Sequence, residues 1–112
     1  MHKSVPGRAK RVLVVGTPDD NAPMSPASAL APDGMLIVME GDAARAAEMR
    51  IRLSNDGLGT RTTVIGGDPR RMLYKLAGPF DVIFCNEAYQ SVRPLLEKLL
   101  ATDGVLITNG DT

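Results

Sequence analysis

The stretch RVLVVGTPDDNAPMSP, residues 11–26, decides how the rest of the chain is interpreted. Its first part is an apolar run that ends in Gly16, which is typical of a buried strand followed by a tight turn. Its second part contains Pro18 and two aspartates where further glycines would favour a ligand-cradling loop. Prolines at 23, 26 and 32 confine any helix to about residues 25–31. We therefore predict a strand, a stiff acidic loop, and one or two helical turns.

Four more apolar runs have the length and composition of strands. They are GMLIVME from Gly34, RTTVIGG from Arg61, FDVIFCN from Phe80 and GVLITN from Gly104. Most of the runs lack polar alternation, which indicates strands that are covered on both faces. Since helical patterns with short links lie between the strands, the sequence predicts an α/β doubly wound sandwich with mostly parallel strands.

Three helices are predicted between these strands. The first has Asp42 as its N-cap and ends before Gly57, and the second has Asp68 as its N-cap and Pro69 at its first position. The third carries an apolar stripe of Val92, Leu95, Leu96, Leu99 and Leu100.

The composition limits the classes of function. A chain of 112 residues with 44% apolar content fits one domain, which we place at residues 11–112 after a flexible segment at residues 1–10. Thirteen basic and thirteen acidic residues cancel, so the charge favours neither nucleic acid nor a membrane surface as a partner. The only cysteine, Cys85, lies in an apolar run and is predicted to be a buried thiol. The short apolar run after the N-terminus is no signal or membrane span, so we expect a soluble, cytoplasmic protein.

In a doubly wound sheet, ligands bind beyond the carboxyl ends of the strands. Those ends carry Gly16, Glu40, Gly67 with Asp68, and Asn86, and Glu40 follows Gly16 at a distance of 24 positions. This arrangement resembles class I S-adenosylmethionine-dependent methyltransferases, in particular the small-molecule O-methyltransferases of the catechol and caffeoyl-CoA type. The phrases LAPDGMLIVMEGDAARAAEMRIRLSNDGL, GPFDVIFCNEA and LLATDGVLITNGD carry the resemblance, which covers residues 10–111.

The resemblance implies a Rossmann-like sheet of five strands in the order 3-2-1-4-5, and a site for S-adenosylmethionine. The cofactor-binding residues that it implies are Gly16, Thr17, Glu40, Gly67, Asp68 and Asn86. Glu40 would accept hydrogen bonds from the ribose diol, although an ordinary exposed acid is the alternative. Asp68 would accept from the adenine amino group, and its role as an N-cap is an equally good explanation.

Several positions depart from the family pattern. Val14 stands where an acid is usual, Pro18 and Asp20 replace loop glycines, and Pro69 has no N–H to offer adenine. We therefore expect weak cofactor binding.

The usual metal ligands are also missing. Asn86, Asn109 and Gly110 stand where that family holds a divalent cation, so no metal is expected unless Glu87 and Asp111 substitute. No catalytic residue is assigned, because the only histidine is His2 and no Ser-His or Cys-His pair can form around it.

Three other classes of function remain open. One is a non-catalytic binding or interaction module on the methyltransferase fold. Another is a receiver-like domain of the flavodoxin type, favoured by Asp19 and Asp20 but not by the Ile-Gly-Gly end of the third strand. The last is an NAD-binding domain, in which these two carboxylates would repel the pyrophosphate.

The family sheet usually continues beyond the fifth strand into an antiparallel hairpin, and we expect this chain to lack that hairpin. The fifth strand would then be an apolar edge. We accordingly expect a homodimer, joined through this strand or through the leucine-rich helix, and a small-molecule methyl acceptor if the protein is active.

Overall fold

The structure is a computed structural model that describes residues 8–16 and 29–108. Its five strands pair in parallel in the order β3-β2-β1-β4-β5, which confirms the predicted doubly wound α/β architecture. The strands are β1 (Ala9–Val15), β2 (Leu30–Glu40), β3 (Thr62–Gly66), β4 (Phe80–Cys85) and β5 (Leu100–Thr108). The helices are α1 (Ala43–Asn55), α2 (Pro69–Met72) and α3 (Arg93–Leu99), with 3₁₀ segments at Gly59–Arg61, Leu73–Lys75 and Glu87–Val92.

The central strand β1 is buried on both faces of the sheet. Val12 and Val14 belong to one apolar cluster, and Leu13 and Val15 belong to the other. All four side chains are 0% exposed. The lack of polar alternation in this strand is explained by two helical layers, since both faces must be apolar.

The two layers come from different helices. Met49 and Leu53 of α1 pack on the Val12 face, and Leu96 of α3 packs on the Leu13 face. The carboxylate of Asp42 caps α1 by accepting from the N–H groups of Ala44 (2.9 Å) and Arg45 (3.1 Å), as predicted. Helix α1 ends at Asn55, two residues before Gly57, whose φ of +79° suits glycine.

Strands β2 and β5 begin earlier than predicted. The predicted helix over residues 25–31 is wrong at Leu30 and Ala31, which belong to β2, and residues 25–28 lie outside the described part of the chain. Leu100 likewise belongs to β5 rather than to the helical stripe, and the segment before Arg93 is 3₁₀ rather than α-helix.

Strands β2 and β5 start early because each contains the same kind of bulge. Leu30 pairs with Ala9 and Met35 pairs with Arg11, so β2 accommodates extra residues opposite a short piece of β1. The matching irregularity in β5 lies between the Phe80–Leu100 and Val82–Val105 pairs. The segments are LAPDG and LATDG, and a Cβ on Gly34 would lie 2.6 Å from the Ala9 carbonyl oxygen.

Strand β1 also starts two residues before its predicted start, because buried Ala9 pairs with β2.

The edge strands of the sheet are less buried than its central strand. Strand β5 forms one edge, and Leu106 and Ile107 on it are only partly buried. The homodimer expected through this edge stays a prediction.

Within the described ranges, none of the helices is both long enough and apolar enough to span a bilayer.

Candidate functional site

The carboxyl ends of β1 to β4 meet at one edge of the sheet, which we call the carboxyl rim. It consists of Gly16, Glu40, Gly41, Gly67, Asp68 and Asn86. Backbone hydrogen bonds join neighbouring tips: Gly16 N to Met39 O (2.8 Å), Gly67 N to Glu40 O (3.0 Å) and Asn86 N to Val15 O (2.8 Å). The structure therefore brings together all the predicted cofactor-binding residues that it describes.

Glu40 is the last residue of β2 and is only 3% exposed. Its Oε2 accepts a hydrogen bond from the backbone N–H of Asp42 at 2.8 Å. This bond fixes the carboxylate at the turn between β2 and α1. The alternative interpretation of Glu40 as an ordinary exposed acid is wrong, and the ribose role remains a prediction.

Asp68 follows β3 and caps α2. Its Oδ1 accepts from the backbone N–H of Arg70 at 3.0 Å and from the Arg70 guanidinium Nε at 3.1 Å. The backbone hydrogen bond from Arg70, followed by the hydrogen bond from its side chain, lowers the pKa of this carboxyl. The N-cap interpretation is confirmed, and the adenine interpretation is compatible with it because both bonds use the same oxygen.

Asn86 follows β4 and starts the next turn. Its Oδ1 accepts from the N–H of Ala88 at 2.9 Å. The preceding residue, Cys85, is buried, and its thiol donates to the carbonyl oxygens of Asn86 (3.4 Å) and Tyr89 (3.7 Å). Burial raises the pKa of the Cys85 thiol to about 11. A thiol of this kind is a poor nucleophile at neutral pH, so the prediction of a buried structural cysteine is confirmed.

Tyr89 is the rim residue that sequence reasoning missed. A Cβ on Gly16 would lie 2.8 Å from Cδ2 and Cε2 of the Tyr89 ring, and a Cβ on Gly41 would lie 3.0 Å from its hydroxyl oxygen. The side chain therefore extends from the tip of β1 to the turn after β2. Only its place four residues after Cys85, the last residue of β4, signalled this contact, since the run from Tyr89 also fits the start of a helix.

Two of the departures that concern the cofactor lie within the described residues. Val14 is 0% exposed and packs in the apolar core, so this side chain is not available to a ligand. Pro69 occupies the first position of α2 and is buried. Neither side chain offers a polar group to a bound nucleoside.

The other residues singled out from the sequence fall where the structure gives no description. These residues are Thr17, Pro18, Asp19, Asp20, Asn109, Gly110, Asp111 and His2. Over residues 8–16 and 29–108, His, Cys, Asp and Glu side chains form no group of three that could hold a metal ion. The exposed Glu87 stands beside Asn86 without forming such a group.

Comparison with known proteins gives similarity in structure only. No family model and no curated protein matches the sequence. The cofactor-bound Rv0187 from MTB is 25% identical with a TM-score of 0.74, over 89% of this chain and 48% of that one. The O-methyltransferase TomG from Streptomyces achromogenes, in complex with SAM, is 24% identical with a TM-score of 0.73, over 90% and 48%.

A third similar structure is the SAH-bound methyltransferase PaMTH1 from Podospora anserina. It is 26% identical with a TM-score of 0.68, over 91% of this chain and 46% of that one. The chain thus spans about half the length of the solved structures that it matches. The similarity covers 89–91% of this chain. The chain has the fold of a class I S-adenosylmethionine-dependent O-methyltransferase.

Proposed function

We propose that this protein binds S-adenosylmethionine at the carboxyl rim and acts as an O-methyltransferase of a small molecule. The observation that carries the proposal is the buried carboxylate of Glu40 at the tip of β2, next to the tip of β1 at Gly16. The complexes of similar structures with SAM and SAH support it.

Glu40 has the properties that a ribose diol requires. A carboxylate accepts from both hydroxyls, and such charge-assisted bonds are stronger where water is excluded. The hydrogen bond from the N–H of Asp42 holds one carboxylate oxygen in place before any ligand arrives. A preorganised acceptor of this kind loses little conformational entropy on binding.

Asp68 suits the adenine end of the same ligand. Both hydrogen bonds that it accepts use Oδ1, and the side chain is 40% exposed. Oδ2 can therefore accept from an exocyclic amino group while the helix cap stays intact. The N-cap and ligand-binding roles of Asp68 are thus mutually compatible.

Buried Val14 and Pro69 make the expected affinity weak. Each removes one polar contact, and a neutral hydrogen bond contributes about 0.5–1.5 kcal/mol. Loss of two contacts weakens binding by about five- to a hundredfold. We expect a dissociation constant in the high micromolar range or above.

The bound cofactor would supply the methyl group. The chain's own residues would position it, with Glu40 at the ribose and Asp68 at the adenine, and orientation of this kind contributes to the rate of methyl transfer. The similar structures are about twice as long as this chain.

Calorimetric titration with S-adenosylhomocysteine tests the proposal. We expect binding by the wild-type protein, a loss of at least about tenfold in Glu40→Gln, and no change in Glu48→Gln. Glu48 is a matched control because it is an exposed glutamate on α1 that undergoes the same change of charge. The proposal is wrong if the wild-type protein gives no heat at millimolar ligand, or if both variants bind as tightly as the wild-type protein.

A further inference from the structure

We propose that the phenol of Tyr89 occupies the nucleoside position of the carboxyl rim, so that a ligand must displace it to reach Glu40. The inference rests on the proposed function and deepens it by identifying the residue that controls access. Tyr89 would be a gating residue of the cofactor site rather than one of its ligands.

The position of the side chain supports this proposal. Adjacent strands lie about 4.8 Å apart, so a side chain in contact with both Gly16 and Gly41 crosses the gap between β1 and β2. The distances of 2.8 Å and 3.0 Å to the two Cβ positions leave no layer of space between the phenol and the backbone. A nucleoside that contacts Gly16 therefore cannot slide beneath the ring.

The hydroxyl lies where the second and third tips converge. The Cβ position of Gly41 that faces the hydroxyl is also 3.8 Å from the Gly67 carbonyl oxygen and 3.9 Å from the Asp68 Cα. The hydroxyl therefore lies beside the turn that follows β2, and this turn is itself close to the residues after β3. Glu40, which the ligand would have to reach, is 3% exposed in this conformation.

The ring is held by packing as well as by its reach. Tyr89 is partly buried against the apolar cluster that contains Val15 and Met39. Its backbone has φ −111° and ψ 23°, which interrupts the 3₁₀ segment Glu87–Val92 at this residue. The phenol fits against positions 16 and 41 because both are glycine, and a side chain at either position would collide with it in this conformation.

The gate raises the apparent dissociation constant, which equals the intrinsic constant divided by the fraction of molecules in the open form. If the open form makes up about one tenth of the molecules, the apparent dissociation constant rises about tenfold, or about 1.4 kcal/mol. Removing the ring abolishes this penalty. We therefore expect Tyr89→Ala to bind S-adenosylhomocysteine about tenfold more tightly than the wild-type protein.

Calorimetry on three proteins tests the inference: the wild type, Tyr89→Ala and Tyr74→Ala. Tyr74 is the matched control because it is 76% exposed and lies on a different segment. Tighter binding by Tyr89→Ala alone supports the gate. Equal or weaker binding by Tyr89→Ala, with binding by the wild type, refutes the gate and leaves the proposed function standing. No binding by any of the three refutes both.

A second measurement leaves Tyr89 in place. The chain has two tyrosines and no tryptophan, so in Tyr74→Phe the fluorescence comes from Tyr89 alone. Saturating S-adenosylhomocysteine should increase acrylamide quenching as the phenol leaves its packed position. A decrease or no change would mean that the ring stays under or beside the ligand, which refutes the gate even if Tyr89→Ala fails to fold.

Discussion

Replacing Gly16 by alanine tests the packing of the carboxyl rim directly. Gly16 has φ +80°, a left-handed conformation that costs an alanine about 1–2 kcal/mol. The new methyl group would also lie 2.8 Å from the Asn86 Cβ and from the Tyr89 ring. Overpacking of this kind typically costs about 1–3 kcal/mol, so Gly16→Ala should lose about 2–5 kcal/mol of unfolding free energy.

Two other glycines separate these contributions. Gly57 has φ +79° with no atom within 4 Å of its Cβ position, so Gly57→Ala should lose only about 1–2 kcal/mol. Gly66 has neither a positive φ nor a close neighbour, and Gly66→Ala should be nearly neutral. Urea unfolding followed by far-ultraviolet circular dichroism measures all three changes. Equal losses for Gly16→Ala and Gly57→Ala would refute the packing of Tyr89 and Asn86 on Gly16.

Three more predictions concern other parts of the fold. Asp42→Ala should lower the unfolding free energy by about 1 kcal/mol because it removes the cap of α1. Asp56→Ala, at the other end of that helix, should lower it little, and thermal unfolding of both variants measures the difference. The carboxylate of Asp81 accepts hydrogen bonds from the backbone N–H groups of Lys10 (2.8 Å) and Arg11 (3.2 Å). Asp81→Ala should therefore lower the unfolding free energy by about 1–3 kcal/mol, as measured by urea unfolding, and by more than Asp81→Asn. The unfolded thiol of Cys85 ionises near 9.0 and the folded one near pKa 11, so unfolding free energy should fall between pH 9 and 11, and Cys85→Ala should abolish that fall.

The arrangement of strands was predictable because each apolar run marks a buried strand. Val12 to Val15 have no polar alternation, and the structure covers both faces of β1. The exact starts of β2 and β5 were not predictable from apolar runs. The polar residues of LAPDG and LATDG interrupt the runs, although the backbone on either side of them already pairs with β1 and β4.

The candidate site was predictable in its backbone positions and less so in its side chains. Gly16, Glu40, Asp68 and Asn86 follow from the rule that parallel strands end at one edge. Tyr89 did not follow, because its contact with Gly16 depends on the backbone conformation after β4. No local pattern distinguishes an aromatic residue that folds back over the rim from one that begins a helix.

The rim residues stabilise the turns as well as forming the candidate site. Glu40, Asp68 and Asn86 each accept from the backbone N–H two residues further along the chain. Removing one of these acceptors should therefore lower stability and weaken ligand binding together, whereas Glu40→Gln keeps an acceptor oxygen for the N–H of Asp42 and so separates the two effects. Tyr89→Ala, in contrast, is predicted to change stability and ligand affinity in opposite directions. Loss of the packed ring lowers stability, while opening the rim raises affinity, and a purely structural residue would not produce that combination.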